Sequence, residues 1–376
     1  MNRLAIIRTS SVPLDLMQYH VQEIGLARGL LKQGVSTDIY SRFANLEEER
    51  VYCAVGGCAV RLIPVKGMTI LNQFTCVRGL IDRISREHYD CVQVHERNQP
   101  MTPFLLRHFH KEKIKTVLYQ GIYKESSFRS ALYNAVFDFF FGRTVVRNTD
   151  VALAKTGWAR ERLLRKGFKD VSIMPVGLGL AREYKPCAYR QVIERFKQRY
   201  SGLLLYIGKL EKRRNPFFMV DVLAEVRETH KRDVGLAVIG TGPLEEQMRE
   251  YAEKKGLSEH ILFIRRIQNL EMHEVNKLGD LLLLPSNYEI YGMVMLEAMQ
   301  HGLPIVATPE AGPQALLTDP RLGSCIGLNV ATWGDKICGY LDNTLPEAKA
   351  FRSDHFAATY DFDKIAKHYY DVVLSA

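Results

Sequence analysis

Leu281-Leu282-Leu283-Leu284-Pro285-Ser286-Asn287-Tyr288-Glu289-Ile290-Tyr291-Gly292-Met293-Val294-Met295-Leu296-Glu297-Ala298-Met299-Gln300-His301-Gly302-Leu303-Pro304-Ile305-Val306-Ala307-Thr308 spans one complete repeat of an α/β fold. Leu281–Pro285 is a short apolar run closed by proline, the pattern of a strand buried on both faces. Residues 286–291 are a loop, Gly292–His301 reads as a helix, and Pro304–Thr308 is the next strand. Two carboxylates stand eight residues apart, Glu289 in the loop and Glu297 inside the helix. With the helix starting near Gly292, Glu297 is more than one turn in. Both carboxylates can then meet one ligand at the C-terminal edge of the sheet, where such folds bind their ligands. Gly292 lets a phosphate approach the first backbone N–H groups, and the helix dipole favours an anion there. Two glutamates at this spacing are common by accident, so the whole string carries the reading. Glu297 lies among Met295, Leu296, Ala298 and Met299, company in which a carboxylate is costly to bury without a partner.

Working outward, the same alternation runs along the chain. Before this segment come strand Leu203–Ile207, helix Phe217–Glu228, strand Val234–Ile239, helix Leu244–Lys255, strand Ile261–Ile264 and a helix near Met272–Leu278. After it comes a helix near Pro313–Leu317. An earlier series has strands at Arg3–Ile7, Ser36–Tyr40, Val60–Pro64, Cys91–His95, Thr116–Tyr119, Val151–Ala154 and Val171–Val176, with helices expected over Gln18–Lys32 and Leu71–Arg86. Two βα series predict an α/β chain of two Rossmann-like domains facing a central cleft. The expected boundaries are 1–180 for the first domain, 181–200 for a polar connection, 201–358 for the second domain and 359–376 for a C-terminal helix. That helix carries Ile365, Tyr369, Val372 and Val373 on one side and is expected to cross back to the first domain.

The 376 residues suit two domains of ordinary size, and no run approaches the roughly 18–20 apolar residues of a membrane-spanning helix. Seven cysteines at scattered spacings form no ligand cluster, which reads as reduced thiols in a cytoplasmic protein. The net charge of +9 is uneven: residues 1–180 hold 26 Lys and Arg against 16 Asp and Glu, a balance of +10, and the remainder balances at −1. A basic first half is either a solvated face or a surface attracted to anionic lipid or a phosphate-bearing acceptor. No nucleic-acid-reading motif accompanies it, and nucleic acid is not expected as a partner. Two apolar stretches belong with that charge. Pro103–Lys111 mixes apolar and basic residues, and Tyr133, Phe137, Phe139, Phe140 and Phe141 crowd nine positions. They read as core packing or as peripheral contact with an anionic membrane.

The Pro285–Pro304 string resembles the E-x7-E signature of the family 4 (group 1) retaining glycosyltransferases of the GT-B fold, with Ser286, Glu289, Gly292, Glu297, Gly302 and Pro304 all in place. The resemblance implies that Glu297 holds the ribose hydroxyls of a nucleotide-sugar donor and Glu289 contacts the transferred sugar. It puts Ser286, Tyr291, Gly292, Met293 and Val294 around the donor, the Gly292–Val294 backbone meeting its diphosphate. Leu203–Pro216 is similar to the family's strand, glycine turn and following basic residues. Gly208 takes the glycine place, Lys209 stands where Arg is usual, and Arg214 stands where Lys is usual, with Arg213 beside it. These cations would grip the pyrophosphate and offset leaving-group charge. Val238–Glu245 resembles a Gly-x-Gly-Pro turn and brings in Gly240 and Gly242, glycines expected to let a ligand approach closely.

In the first half the likeness is looser. Gln18–Ala27 resembles the family's first helix, and Asp150–Thr156 and Met174–Leu178 resemble its last strands. Leu14-Asp15-Leu16-Met17 stands where the family often has Gly-Gly, Gln120 where it often has His, and Ala315 where it often has Glu; His95 is an alternative polar group facing the cleft. The implied activity is retaining transfer of a hexose-type sugar from a nucleotide-sugar, UDP first and GDP second, to a hydroxyl of a saccharide or lipid-linked acceptor in cell-surface polysaccharide or glycoconjugate assembly. Glu289, Lys209, Arg214, His95 and Gln120 are the catalytic candidates, and neither metal nor cofactor is expected. Two other readings stay open: a non-catalytic nucleotide-sugar binder and a GT-B sugar-nucleotide epimerase.

Overall fold

In a computed structural model the strands assemble into two sheets. It describes residues 2–16, 21–70, 74–124, 128–179, 184–343 and 346–375. The chain divides into two compact units, Met1–Gly179 with Tyr360–Ala376, and Leu180–Thr359.

The first unit holds β1 (Arg3–Ile7), β2 (Ser36–Ser41), β3 (Arg50–Val55), β4 (Cys58–Pro64), β5 (Met68–Ile70), β6 (Phe74–Cys76), β7 (Cys91–His95), β8 (Lys115–Gln120), β9 (Val151–Ala154) and β10 (Ser172–Ile173). Eight of them form one sheet in the order β10-β9-β8-β7-β1-β2-β4-β3. Every pairing in it is parallel except β3 on β4. β3 was not expected from the sequence. Its side chains are largely exposed, so it lacks the apolar signature of a buried strand, and it is held by a hairpin turn at Gly56-Gly57.

The second unit holds β11 (Gly202–Ile207), β12 (Val234–Ile239), β13 (Ile261–Ile264), β14 (Leu281–Leu284), β15 (Ile305–Ala307) and β16 (Gly323–Cys325). All are parallel, in the order β13-β12-β11-β14-β15-β16. In chain order this is 3-2-1-4-5-6, which reverses direction between β11 and β14. A crevice opens at such a reversal beyond the carboxyl ends of the strands. Strand runs such as Leu203–Tyr206 and Leu281–Leu284 are buried throughout because helices cover both faces.

Several expectations change. The helix expected over Leu71–Arg86 is a small hairpin, β5 with β6, followed by a short helix, Leu80–Ser85. Thr69, Ile70, Phe74 and Thr75 favour extended backbone, and the left-handed Gly79 delays the helix start; 71–73 lie outside the described residues. The expected Gln18–Lys32 helix is described over Gln22–Leu31, with 17–20 outside the description. The 181–200 connection carries a helix, Arg190–Lys197, whose Ile193 and Phe196 are buried, so this segment is part of the second unit.

The C-terminal helix Phe362–Tyr369 packs within the first unit, against helix Gln22–Leu31. Phe362 sits in a notch of small residues: a side chain at Gly25 would overlap its ring at 2.1 Å, and one at Gly177 at 2.6 Å. Leu178 N–H donates to Tyr360 C=O at 2.9 Å, joining the segment that leaves this unit to the one that returns.

Candidate active site

The loop after β11 begins at Gly208, makes a 3-10 turn over Lys212–Arg214, and turns at Asn215, whose φ of 47° is left-handed, before helix Pro216–Ala224. The loop after β14 runs from Pro285 to Gly292, whose φ of 84° places it as the cap of helix Met293–Gln300. Both leave the strands that flank the reversal, so the two loops lie side by side. Asn287 N–H donates to Arg213 C=O at 2.8 Å, and Asn215 Nδ2 donates to Pro285 C=O at 2.6 Å.

These ties bring predicted residues together. Arg214 Nη1 lies 2.5 Å from Glu289 Oε2 and 2.9 Å from Ser286 Oγ, with both charged side chains largely buried. Ser286 is fully buried, and its carbonyl accepts from the Thr308 hydroxyl after β15. Gly312 N–H holds the Glu289 carbonyl at 3.1 Å. A side chain at Gly312 would come within 2.3 Å of the Tyr291 carbonyl, so glycine lets the first turn of helix Ala311–Leu316 press against this loop. Thr308 and Gly312 are positioning residues that the sequence reading did not single out. The Ala311-Gly312-Pro313 string, which opens helix Ala311–Leu316, was the available signal.

The other cations are disposed differently. Arg213 is exposed, paired with Glu211 at 2.7 Å and donating to Tyr288 C=O at 3.1 Å. Lys209 is exposed, while its carbonyl accepts from the buried Tyr206 hydroxyl at 3.2 Å. Burial raises the Tyr206 phenol well above its usual range, so it is a neutral donor that fixes the turn. Glu297 lies in the second turn of its helix, 7% exposed, between the fully buried Leu296 and Ala298. Tyr291 is buried, and Met293 and Val294 form the half-exposed first turn.

Among the glycines, Gly240 and Gly242 have a role inside the fold. A side chain on Gly240 would meet the Gly208 carbonyl at 1.9 Å, and one on Gly242 the Leu210 carbonyl at 2.2 Å. The close approach they permit is that of the neighbouring backbone, where the sequence reading expected a ligand. Gly208 is the opposite case: nothing lies within 4 Å of where its side chain would be.

His95 and Gln120 belong to the first unit, at the tips of β7 and β8, and are turned into it. Gln120 is 3% exposed; its Oε1 accepts from Arg97 N–H at 3.0 Å, and its Nε2 donates to Glu96 at 2.6 Å and to Ile122 C=O at 2.9 Å. Its hydrogen-bonding capacity is used internally. Glu96, with φ 64°, also accepts from Gly121 N–H at 2.9 Å. Burial pushes its carboxyl above the usual range, against the pull of Lys155. His95 contacts Gln93 at 2.8 Å, Glu23 at 3.5 Å and the ring of Tyr119. Burial holds its imidazole down at about 4, so it is neutral near pH 7. The ring lines a small cavity together with Gln22, Glu23 and Leu26 of helix Gln22–Leu31 and Phe362 of the C-terminal helix. Leu14 is likewise tied down, bridged to Phe43. The chain's Asp361-Phe362-Asp363 is an Asp-x-Asp spacing, but Asp361 caps the C-terminal helix and Asp363 pairs with Lys32.

Residues 193–352 match the family model for glycosyl transferases group 1. A D-inositol 3-phosphate glycosyltransferase of Corynebacterium urealyticum is 23% identical over 97% of this chain and 93% of its own length. Among solved structures, WaaG, a glycosyltransferase involved in lipopolysaccharide biosynthesis, aligns with a TM-score of 0.65 at 18% identity, over 99% of this chain and all of its own. HepE of Anabaena, solved in complex with UDP, aligns with a TM-score of 0.66 at 13% identity over the whole of both chains. The two-unit fold is therefore the GT-B fold.

Proposed function

We propose that the chain is a glycosyltransferase whose second unit carries the group 1 domain, and that it transfers a hexose-type sugar, with retention, from a UDP-sugar to a hydroxyl of a saccharide or lipid-linked acceptor. The observation that carries this reading is the cluster of Arg214, Ser286 and Glu289 at the strand-order reversal, with the buried Glu297 in the second turn of the helix that follows. In this reading Glu297 takes the ribose hydroxyls and Glu289 the hydroxyls of the sugar. Arg214, already aligned by Ser286 and Glu289, faces the diphosphate together with Lys209. Their charge stabilises the leaving nucleotide in place of a metal ion. No carboxylate is assigned as nucleophile. The acceptor hydroxyl attacks on the face that the nucleotide leaves and gives its proton to the departing phosphate, while the protein orients both partners. Open space at Gly208 suits close approach of the donor.

UDP is the first choice of nucleotide and GDP the second; HepE's complex with UDP supports that order. Assembly of cell-surface polysaccharide or glycoconjugate at the cytoplasmic face of a membrane fits the seven free thiols and the basic first unit.

The test is thermal unfolding with UDP, GDP, ADP and CMP, with and without EDTA, on the wild type and Glu297→Ala. A nucleotide at about 100 times its Kd should add roughly 2.7 kcal/mol. The expected result is an EDTA-insensitive shift with one nucleotide, weakened in the variant. A shift with no turnover on any acceptor would favour a non-catalytic binder, an epimerised donor would favour an epimerase, and no shift with any nucleotide would overturn the site.

A further inference from the structure

We infer that the outer face formed by helix Thr102–Lys111 and the helical stretch Phe128–Arg147 is a docking surface for an anionic lipid bilayer. The proposed lipid-linked acceptor supplies a purpose for this surface, but its support comes from other residues.

Helix Phe128–Phe137 continues through a π-helical turn, Asp138–Gly142, into helix Arg143–Arg147. Phe128, Leu132, Val136, Phe139 and Phe140 recur at helical spacing along one side, and all are exposed, Phe128 and Phe139 at 83% and Phe140 at 67%. The wider π turn brings two adjacent phenylalanines to the outside while Phe137 is buried. Phe139 and Phe140 pack edge to face at 5.0 Å, and Phe141 carries the aromatic row to the exposed Phe104 of the neighbouring helix. A contiguous row of large exposed side chains is unusual on a surface that faces only water.

The exposed charge around this row is mainly basic. Exposed Arg129, Arg143 and Arg147 flank the phenylalanines, and Arg107 and Lys111 follow Phe104 on its helix. The only carboxylate between residues 128 and 147 is Asp138, and it is engaged by Arg97 and by Lys166. Glu112 is an exposed acid just past the end of the first helix. Beside Phe104 opens a cavity of about 500 Å³ with Lys66 and Arg78 in its lining. Aromatic side chains at the acyl boundary with arginines at headgroup level are the composition of an interfacial helix. A second copy is a poorer occupant, because two-fold contact would set the arginines against their own images.

The experiment is co-sedimentation of the full chain with vesicles of phosphatidylcholine alone or mixed with phosphatidylglycerol. Binding should be strong only with the mixed vesicles and should fall with added salt. Phe139→Ser with Phe140→Ser should weaken it roughly tenfold or more. Arg143→Glu with Arg147→Glu should weaken it by at least roughly fivefold per position. Both double variants should melt like the wild type and keep its nucleotide-induced shift, since they alter exposed side chains of the first unit. Binding to neither vesicle, equal binding to both, or a dimer in light scattering that the phenylalanine variant dissolves would overturn the inference. A wild type that binds vesicles but shows no nucleotide shift would count against the proposed function and leave the docking surface standing.

Discussion

Both sheets carry polar side chains just beyond the carboxyl tips of their central strands, and the two units use them in opposite ways. In the first, Gln120 spends its amide on Arg97, Glu96 and Ile122, and His95 is held neutral under a helix. In the second, Arg214, Ser286 and Glu289 also bond to one another, but they sit in the loop layer next to exposed Lys209 and the open space at Gly208. A parallel α/β topology offers a ligand position at every strand-order reversal. Whether the side chains there are available depends on how completely the fold satisfies them.

The contrast can be broken most severely at Arg214. Arg214→Ala should lower transfer from the stabilising donor by about 10²–10³-fold, the usual cost of removing one aimed charge-stabilising donor, with Arg214→Lys recovering part of it. Steady-state rates decide this, and near-wild-type rates in the alanine variant would move the chemistry elsewhere. Next in size, Gln120→Ala leaves Arg97 N–H and Glu96 short of partners and should destabilise by about 1–3 kcal/mol in urea. The nucleotide-induced shift should survive; lost transfer with stability intact would instead put Gln120 in the site.

His95 sharpens the contrast through pH. Its folded value of about 4 lies below 6.5, so as acid is added the unfolded chain takes up this proton first. The contribution is absent above pH 6.5 and grows as pH falls towards 4. Stability should drop by about 1–2 kcal/mol by roughly pH 5, and His95→Gln should flatten that slope. A slope unchanged in the variant would mean that His95 is solvated. The smallest effect on the fold is expected at Gly208. Gly208→Ala should change stability by less than about 0.5 kcal/mol yet weaken nucleotide binding measured by titration calorimetry. Gly240→Ala should unfold the unit, because its side chain has no room. Equal stability losses at the two positions would remove the distinction between a glycine facing a ligand and one facing a neighbouring loop.

Much of the second unit was legible because its signals are local. Leu281–Leu284 declares a buried strand, Gly302 and Pro304 punctuate the helix end, and Glu289 and Glu297 belong to one continuous string whose placement the structure keeps. The first unit was harder. β3 is an exposed edge strand without apolar alternation, and the expected Leu71–Arg86 helix carried enough apolar residues to mimic helical periodicity. Patterning of this kind cannot tell an exposed hairpin from a helix when burial is not yet known.

By itself, then, the sequence determined the two βα series, the strands of the second unit and the residues that surround them, because backbone preference and apolar period act over a few neighbours. Only the tertiary structure decided which polar groups the fold consumes. Gln120 meets Glu96 across 24 residues of sequence and Arg214 meets Glu289 across 75. It likewise decided that Phe139 and Phe140 face outward while Phe137 is buried. Partners so far apart in the chain are chosen by strand order and packing, and no local pattern encodes them.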